Sequence, residues 1–233
     1  MSPIAPRDLG EVRDAVGESL ATGEPLELVA GGSKRGLGRP LQLPRTLDLS
    51  RLVGIRDYQP SELVLTAAAG APLEEVEAVL AERRQMLAFE PPDWGALLGI
   101  PRPAARRRTL GGALACNLSG PRRVKAGAAR DHFLGFRGVS GRGEVFKAGG
   151  KVVKNVTGYD LCKLMAGSYG TLAALEEVTV KVLPQPETVS TVMLCELDPA
   201  TAVLRLNRAL ASPHEVSGAV YIPPSSTAAL TAL

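Results

Sequence analysis

Apolar and polar positions alternate with two periods along the first part of the chain, and each period predicts an element. Leu9, Val12, Val16 and Leu20 recur at spacings of three and four, one face of a helix, with Pro6 suited to its first turn and Gly23 and Pro25 to its end. Leu26–Ala30 is a short apolar run that reads as a buried strand leading into Gly31-Gly32-Ser33-Lys34, and Thr46–Leu49 and Glu62–Ala68 read as two more strands. Leu73, Val76, Val79 and Leu80 mark a second amphipathic helix opened by Ala71-Pro72, and Met86–Phe89 a strand before the Pro91-Pro92 break. Residues 1–92 therefore carry the helix–strand alternation of a small α/β unit.

From Thr109 onward glycine becomes dense. Phe133–Val139 and Glu144–Ala148 flank Ser140-Gly141-Arg142-Gly143, which predicts a β-hairpin. Asp160–Met165 predicts a short helix, and Leu175–Leu183 a strand whose Val178, Val180 and Val182 share one face. Beyond Pro184 and Pro186, strands are expected at Thr191–Leu197 and Val216–Ile222 around a helix Pro199–Ala211. Asp198 would cap that helix and Pro199 fill its first turn, giving a β-α-β unit that starts a further domain.

Composition narrows the classes. Apolar residues are 45% and charged residues 22%, ordinary for a soluble globular protein. No apolar run approaches the roughly 18 residues of a membrane span, and Met1–Gly10 lacks the features of a secretory signal. Cys116, Cys162 and Cys195 lie 33 residues apart at the nearest, which excludes CxxC redox pairs, local zinc knuckles and iron–sulfur ligation by this chain alone. Buried thiols in a reducing cytoplasm are expected. With only His132 and His214, no metal site is expected. The net charge of +3 is mild, yet nine Lys/Arg residues lie between Arg102 and Arg137 against one acid, Asp131. Such a stretch suits a nucleic acid, an acidic partner or a phosphorylated cofactor.

Candidate chemistry sits in glycine-marked loops. The segment Leu28-Val29-Ala30-Gly31-Gly32-Ser33-Lys34 ends a strand in small residues whose backbone N–H groups can converge on a pyrophosphate. It is neither a Walker loop nor a GxGxxG fingerprint. In Thr109–Gly120 a threonine hydroxyl, the Asn117 amide and the Ser119 hydroxyl stand among Gly111, Gly112 and Gly120, a set that suits a cofactor's phosphates and ring edge. Gly127–Gly135, Asn155–Asp160 and Gly167–Leu172 follow. Loops spread this widely suggest one extended ligand touched repeatedly.

The wording of these loops, TLGGALACNLSG, GAARDHFLG and KNVTGYDLCKLMAGSYGTL, resembles the FAD-binding domain of the vanillyl-alcohol-oxidase/PCMH family over about residues 5–185. Within that family it is similar to the FAD-binding E subunits of bacterial glycolate oxidases. The resemblance implies an α+β fold: a PCMH-type FAD-binding domain over 1–185, with subdomains of about 1–92 and 109–185, then an abbreviated or truncated cap over 186–233. It maps the pyrophosphate loop onto Ala30, Gly31, Gly32, Ser33 and Lys34, and the flavin-side segment onto Gly111, Gly112, Asn117, Ser119 and Gly120. The adenine-side segment maps onto Gly167 to Leu172, with Gly170 and Leu172 as contacts. Thr109 and Asp131 complete the candidate set, Asp131 standing equally for orienting its own loop. Tyr169 departs from the family, which often has Glu there, and Ala173 stands where Gly is frequent.

FAD held without a covalent link is the implied cofactor. Cys116, the nearest residue for a linkage, sits where the family has an unlinked small residue. The implied activity is oxidation of a 2-hydroxy acid, glycolate, in a complex with a larger flavin subunit and an iron–sulfur subunit. The implied location is the cytoplasm, peripheral to the inner membrane through those partners. No catalytic residue is singled out: His132 suits packing better than proton abstraction, and Lys154 is a candidate charge near the flavin's pyrimidine end. Two other readings stay open, a flavin-fold scaffold without turnover and a nucleic-acid binder built on the basic stretch. Against the latter, aromatic residues are only 4% of the chain.

Overall fold

The computed structural model describes residues 3–95, 97–99, 108–151 and 158–226. Helix α1 (Leu9–Thr22) begins at Asp8, whose carboxylate accepts the Glu11 backbone N–H at 2.9 Å, and stops at Gly23, which takes a φ of 70°. That cap puts Pro6 outside the helix rather than in its first turn. The buried face is Leu9, Val12 and Ala15, while Leu20 is exposed. The chain continues through β1 (Leu26–Val29) and β2 (Arg45–Asp48), which pair in parallel with Leu28 opposite Leu47.

Next come β3 (Ile55–Gln59), β4 (Val64–Ala68), α2 (Leu73–Ala81) and a two-residue β5 (Gln85–Met86). The short helices α3 (Leu110–Ala115), α4 (Arg123–Ala126) and α5 (Ala129–His132) lead into the hairpin β6 (Phe133–Ser140) and β7 (Val145–Gly149). After α6 (Leu161–Met165), β8 (Ala173–Lys181) returns to the sheet, followed by β9 (Leu183–Pro184) and α7 (Pro199–Leu210).

The main sheet has the order β3-β4-β8-β6-β7, antiparallel throughout. Strands β3 and β4 therefore join a sheet whose other members come from the second half of the chain. Residue 92 is not a boundary between sheets. Strand β3 has no counterpart in the hydropathy pattern, because Ile55-Arg56-Asp57-Tyr58-Gln59 lies at an edge and buries little. The expected strand at Met86–Phe89 shrinks to Gln85–Met86, and Leu87, Ala88 and Phe89 are buried without joining a ladder.

Successive residues of a strand face opposite ways, and a bulge in β8 between Leu175 and Glu177 switches its alternation, so the main sheet builds two cores. One face, with Leu65, Ala67, Val178 and Val180, packs against α2, α3, α5 and α6 through Leu73, Leu80, Leu110, Leu114 and Phe89. The other, with Ala68, Val139 and Ala174, meets α1 and the small parallel sheet through Leu9, Val12, Leu47 and Leu52. Each fully buried Leu, Val or Phe contributes about 1.5–3 kcal/mol relative to exposure.

Downstream of β9 the expectation of a β-α-β unit is corrected. Helix α7 forms with Asp198 accepting the N–H groups of Ala200 and Thr201, but neither Thr191–Leu197 nor Val216–Ile222 is a strand. A strand needs a neighbour to satisfy its backbone, and Val192 and Met193 remain 85% and 80% exposed. Among the described residues, no helix is long and apolar enough to cross a membrane.

Candidate cofactor-binding site

A cavity of about 340 Å³ opens between the loop after β1, the start and end of α3, and the turn before β8. The parallel pairing of β1 with β2 fixes where the glycine loop leaves the sheet, and Gly32 turns it with a φ of 67°. Ala30, Gly31, Gly32, Ser33 and Lys34 form one wall, and Thr109, Gly111 and Gly112 face them from α3. Gly170 and Tyr169 close one side, and Leu26, Leu28, Leu37, Leu41, Leu43 and Leu175 supply apolar surface.

Lys34 carries the electrostatics. Its Nζ donates to Ser33 Oγ at 3.0 Å, and it makes no ion pair with a carboxylate among the described residues. Burial pushes its pKa below the usual lysine range, with the Arg108 charge acting the same way against Cys116 and Asp93. A desolvated ammonium without a counterion, next to a hydroxyl and a glycine-rich backbone, is an arrangement that an anion relieves. The neighbouring Arg35 is different: its guanidinium forks onto Glu27 at 2.8 and 2.6 Å, so that charge is already neutralised.

Gly111 and Gly112 are both required, for different reasons. A Cβ on Gly112 would stand 2.9 Å from Thr109 Oγ1 and 3.6 Å from Lys34 Nζ, inside the cradle. A Cβ on Gly111 would strike the Ala69 carbonyl oxygen at 2.7 Å, so that glycine lets α3 sit on the end of β4. Thr109 caps α3 by accepting the Gly112 N–H at 3.2 Å. The unneutralised cation and the space a Cβ would fill fit a dinucleotide's pyrophosphate.

Other candidates lie away from the cavity wall. Asn117 Oδ1 accepts the Arg130 N–H at 3.0 Å, Ser119 Oγ accepts the Ala129 N–H at 3.0 Å, and Asp131 Oδ2 accepts the Ala128 N–H at 2.8 Å. These three side chains stitch down the start of α5. Gly120 packs on the backbone of Glu90, and Leu172 is 43% exposed without lining the cavity. His132 is buried and tilted against Phe89, with Nε2 2.8 Å from the Ala126 carbonyl oxygen and Nδ1 3.2 Å from that of Lys181. It cannot reach the cavity as a base.

The thiols also differ from expectation: Cys162 is buried, Cys116 half-buried in the cavity wall and Cys195 exposed. Burial raises the pKa of Cys116 against the opposing charge of Lys34, so it sits there as a neutral thiol. Of the basic stretch, Arg108 bonds the Pro91 carbonyl and Glu74, Arg122 pairs with Glu90, and Arg123, Lys125 and Arg130 are exposed. Arg106, Arg107, Lys154 and Asn155 lie outside the described residues. The aliphatic walls were missed as cavity residues; Leu37, Leu41 and Leu43, spaced just after the glycine loop, were the available signal.

Residues 3–149 match the family described as FAD binding domain. The chain is 40% identical over 208 residues to glycolate oxidase subunit GlcE of Escherichia coli (strain K12), covering 89% of this chain and 56% of that protein. It is 28% identical over 229 residues to an uncharacterized FAD-linked oxidoreductase of Mycobacterium tuberculosis, covering 98% of this chain and 47% of that one. The chain thus spans about half the length of these curated relatives. In fold it resembles alkyldihydroxyacetonephosphate synthase, with a TM-score of 0.59 and 23% identity over 79% of this chain and 32% of that structure. With the glycine-lined, cation-bearing cavity lying within and beside the matched stretch, the chain belongs to the FAD-binding-domain family, with the α+β fold of the PCMH type.

Proposed function

We propose that this chain is the FAD-binding subunit of a glycolate, or more broadly 2-hydroxy-acid, oxidoreductase, and that it holds FAD non-covalently. The observation that carries the reading is Lys34, a desolvated ammonium with no ion pair to a carboxylate among the described residues, beside Ser33 and opposite the bare Gly112. When bound, the flavin supplies hydride and electron chemistry that no side chain offers. The chain's own part is to hold the pyrophosphate at Ala30–Lys34, to shelter the rings against the leucine walls, and to keep Cys116 a neutral thiol beside them. Identity of 40% to a glycolate oxidase subunit supports the substrate class, and a partial match to glycolate oxidase subunit GlcD of Bacillus subtilis supports a larger flavin subunit as a relative and partner. An iron–sulfur subunit completes the proposed complex, with the assembly in the cytoplasm and peripheral to the inner membrane.

Purified protein should show flavin absorption bands in the near-ultraviolet and blue. Acid precipitation should leave the colour in the supernatant, and colour retained in the pellet would defeat the non-covalent reading. Gly112→Val should purify folded and colourless.

A further inference from the structure

Tyr169 stands in a backbone conformation that opposes it. The Thr171 N–H donates to the Ser168 carbonyl at 3.0 Å, closing a four-residue turn whose central residues, Tyr169 and Gly170, have φ of 54° and 76°. Two central residues at positive φ are the mark of a type I′ turn, which favours Asn, Asp or Gly at the first of them and disfavours a bulky side chain. The turn is fixed in place by the Tyr169 N–H, which donates to the Ala115 carbonyl at 2.9 Å, and by Gly167, whose N–H reaches Leu114.

Core packing does not account for the tyrosine, because its side chain is 57% exposed. Among the described residues, seven non-glycine residues have a positive φ, of which Tyr169 alone lines the cavity, and it is also the one aromatic residue lining it. The remaining walls are aliphatic or backbone. Strain retained at a ligand-facing residue points to a task there.

We propose that Tyr169 is a cofactor-positioning residue whose phenol ring covers one of the planar ring systems of the bound dinucleotide. This rests on the reading that the cavity takes FAD. The turn supplies the direction, since a left-handed φ swings the side chain off the path that a strand or helix would give it. The ring supplies a π surface that the leucine walls lack.

The test compares the unliganded chain with Tyr169→Gly, Tyr169→Asn and Tyr169→Phe. Glycine and asparagine suit the turn, so both variants should melt no lower than the parent without cofactor while binding FAD about tenfold more weakly, the size of a base–aromatic stack. Tyr169→Phe should keep the parent's affinity. ADP and FMN used as separate probes identify the ring: a tenfold loss confined to ADP assigns adenine, and one confined to FMN assigns the isoalloxazine. Unchanged FAD affinity in the glycine and asparagine variants would overturn the proposal. So would a fall in melting temperature of both without cofactor, since that makes the tyrosine a structural residue. If the parent itself binds no FAD, the cofactor reading fails, and this proposal with it.

Discussion

Adjacent glycines on α3 separate packing from binding. Gly111 faces the Ala69 backbone, and Gly112 faces the Thr109 hydroxyl and, beyond it, Lys34. Gly111→Ala should therefore destabilise the fold by about 1–3 kcal/mol, the range of overpacking a core, visible as a lower melting temperature with or without FAD. Gly112→Val should instead lose FAD, with a smaller fall in the melting temperature of the unliganded chain as the Thr109 cap of α3 gives way. Equal effects of the two substitutions on affinity would remove the distinction.

Glu176 gives a pH dependence of defined sign. Its Oε2 is buried with no hydrogen-bond partner among the described residues, and its carboxyl is pushed above the ordinary 4.5, by burial first and then by the Glu177 charge, against Arg137 and Arg56. The folded state therefore holds the proton more tightly than the unfolded chain. This contribution is full below about pH 4.5 and is lost as pH rises through the raised folded value. Glu176→Gln should melt above the parent near neutral pH, with the gap closing as pH falls to about 4.5. His132→Ala should cost on the order of 2–4 kcal/mol through lost packing on Phe89 and lost hydrogen bonds, without changing the flavin spectrum of the protein that remains folded.

At the scale of elements, local patterns were legible wherever the element satisfies itself or pairs with its neighbour in sequence. The apolar face and the glycine end of helix α1, the turn of the β6–β7 hairpin and the cap of α7 are visible in the residues that form them. Asp8→Ala should lower stability by about 1 kcal/mol, the usual value of an N-cap, because α1 covers the second core; a thermal melt measures it. Strands proved harder. Strand β3 is polar and lies at an edge, whereas Thr191–Leu197 has strand-like composition and no pairing strand among the described residues. Composition reports what a segment could pair as, and only a neighbouring strand decides whether it does.

For the whole molecule, charge and coverage matter most. Arg108 and Arg122 are held in ion pairs, whereas Arg123, Lys125, Arg130 and Arg137 are exposed, and the proposed complex would set these cations against an acidic partner surface. Association with partner subunits should weaken with salt, because exposed charges are screened over about 8 Å at physiological ionic strength; identical affinity at low and high salt would make these residues idle surface. The FAD-loaded chain alone should not oxidise glycolate. The lining carboxylate Glu27 is bound by Arg35, and His132 is buried between carbonyls. In anaerobic mixing with excess glycolate, the oxidised flavin band should persist until the larger flavin subunit is added, and rapid bleaching without it would contradict this.

Read alone, the residues determined the glycine loops, helices α1, α2, α6 and α7 and the hairpin, since each is written in neighbouring positions whose backbone demands are local, while the cofactor class came from the family resemblance those loops carry. Tertiary structure decided which polar residues in those loops line the cavity. Asn117, Ser119 and Asp131 have the chemistry of cofactor contacts, yet they satisfy the N–H groups of Arg130, Ala129 and Ala128. Lys34 makes no ion pair among the described residues, while Arg35, one residue on, was claimed by Glu27. A side chain's hydrogen-bonding capacity is a property of its type, but which partner takes it up depends on what the fold brings within about 3 Å.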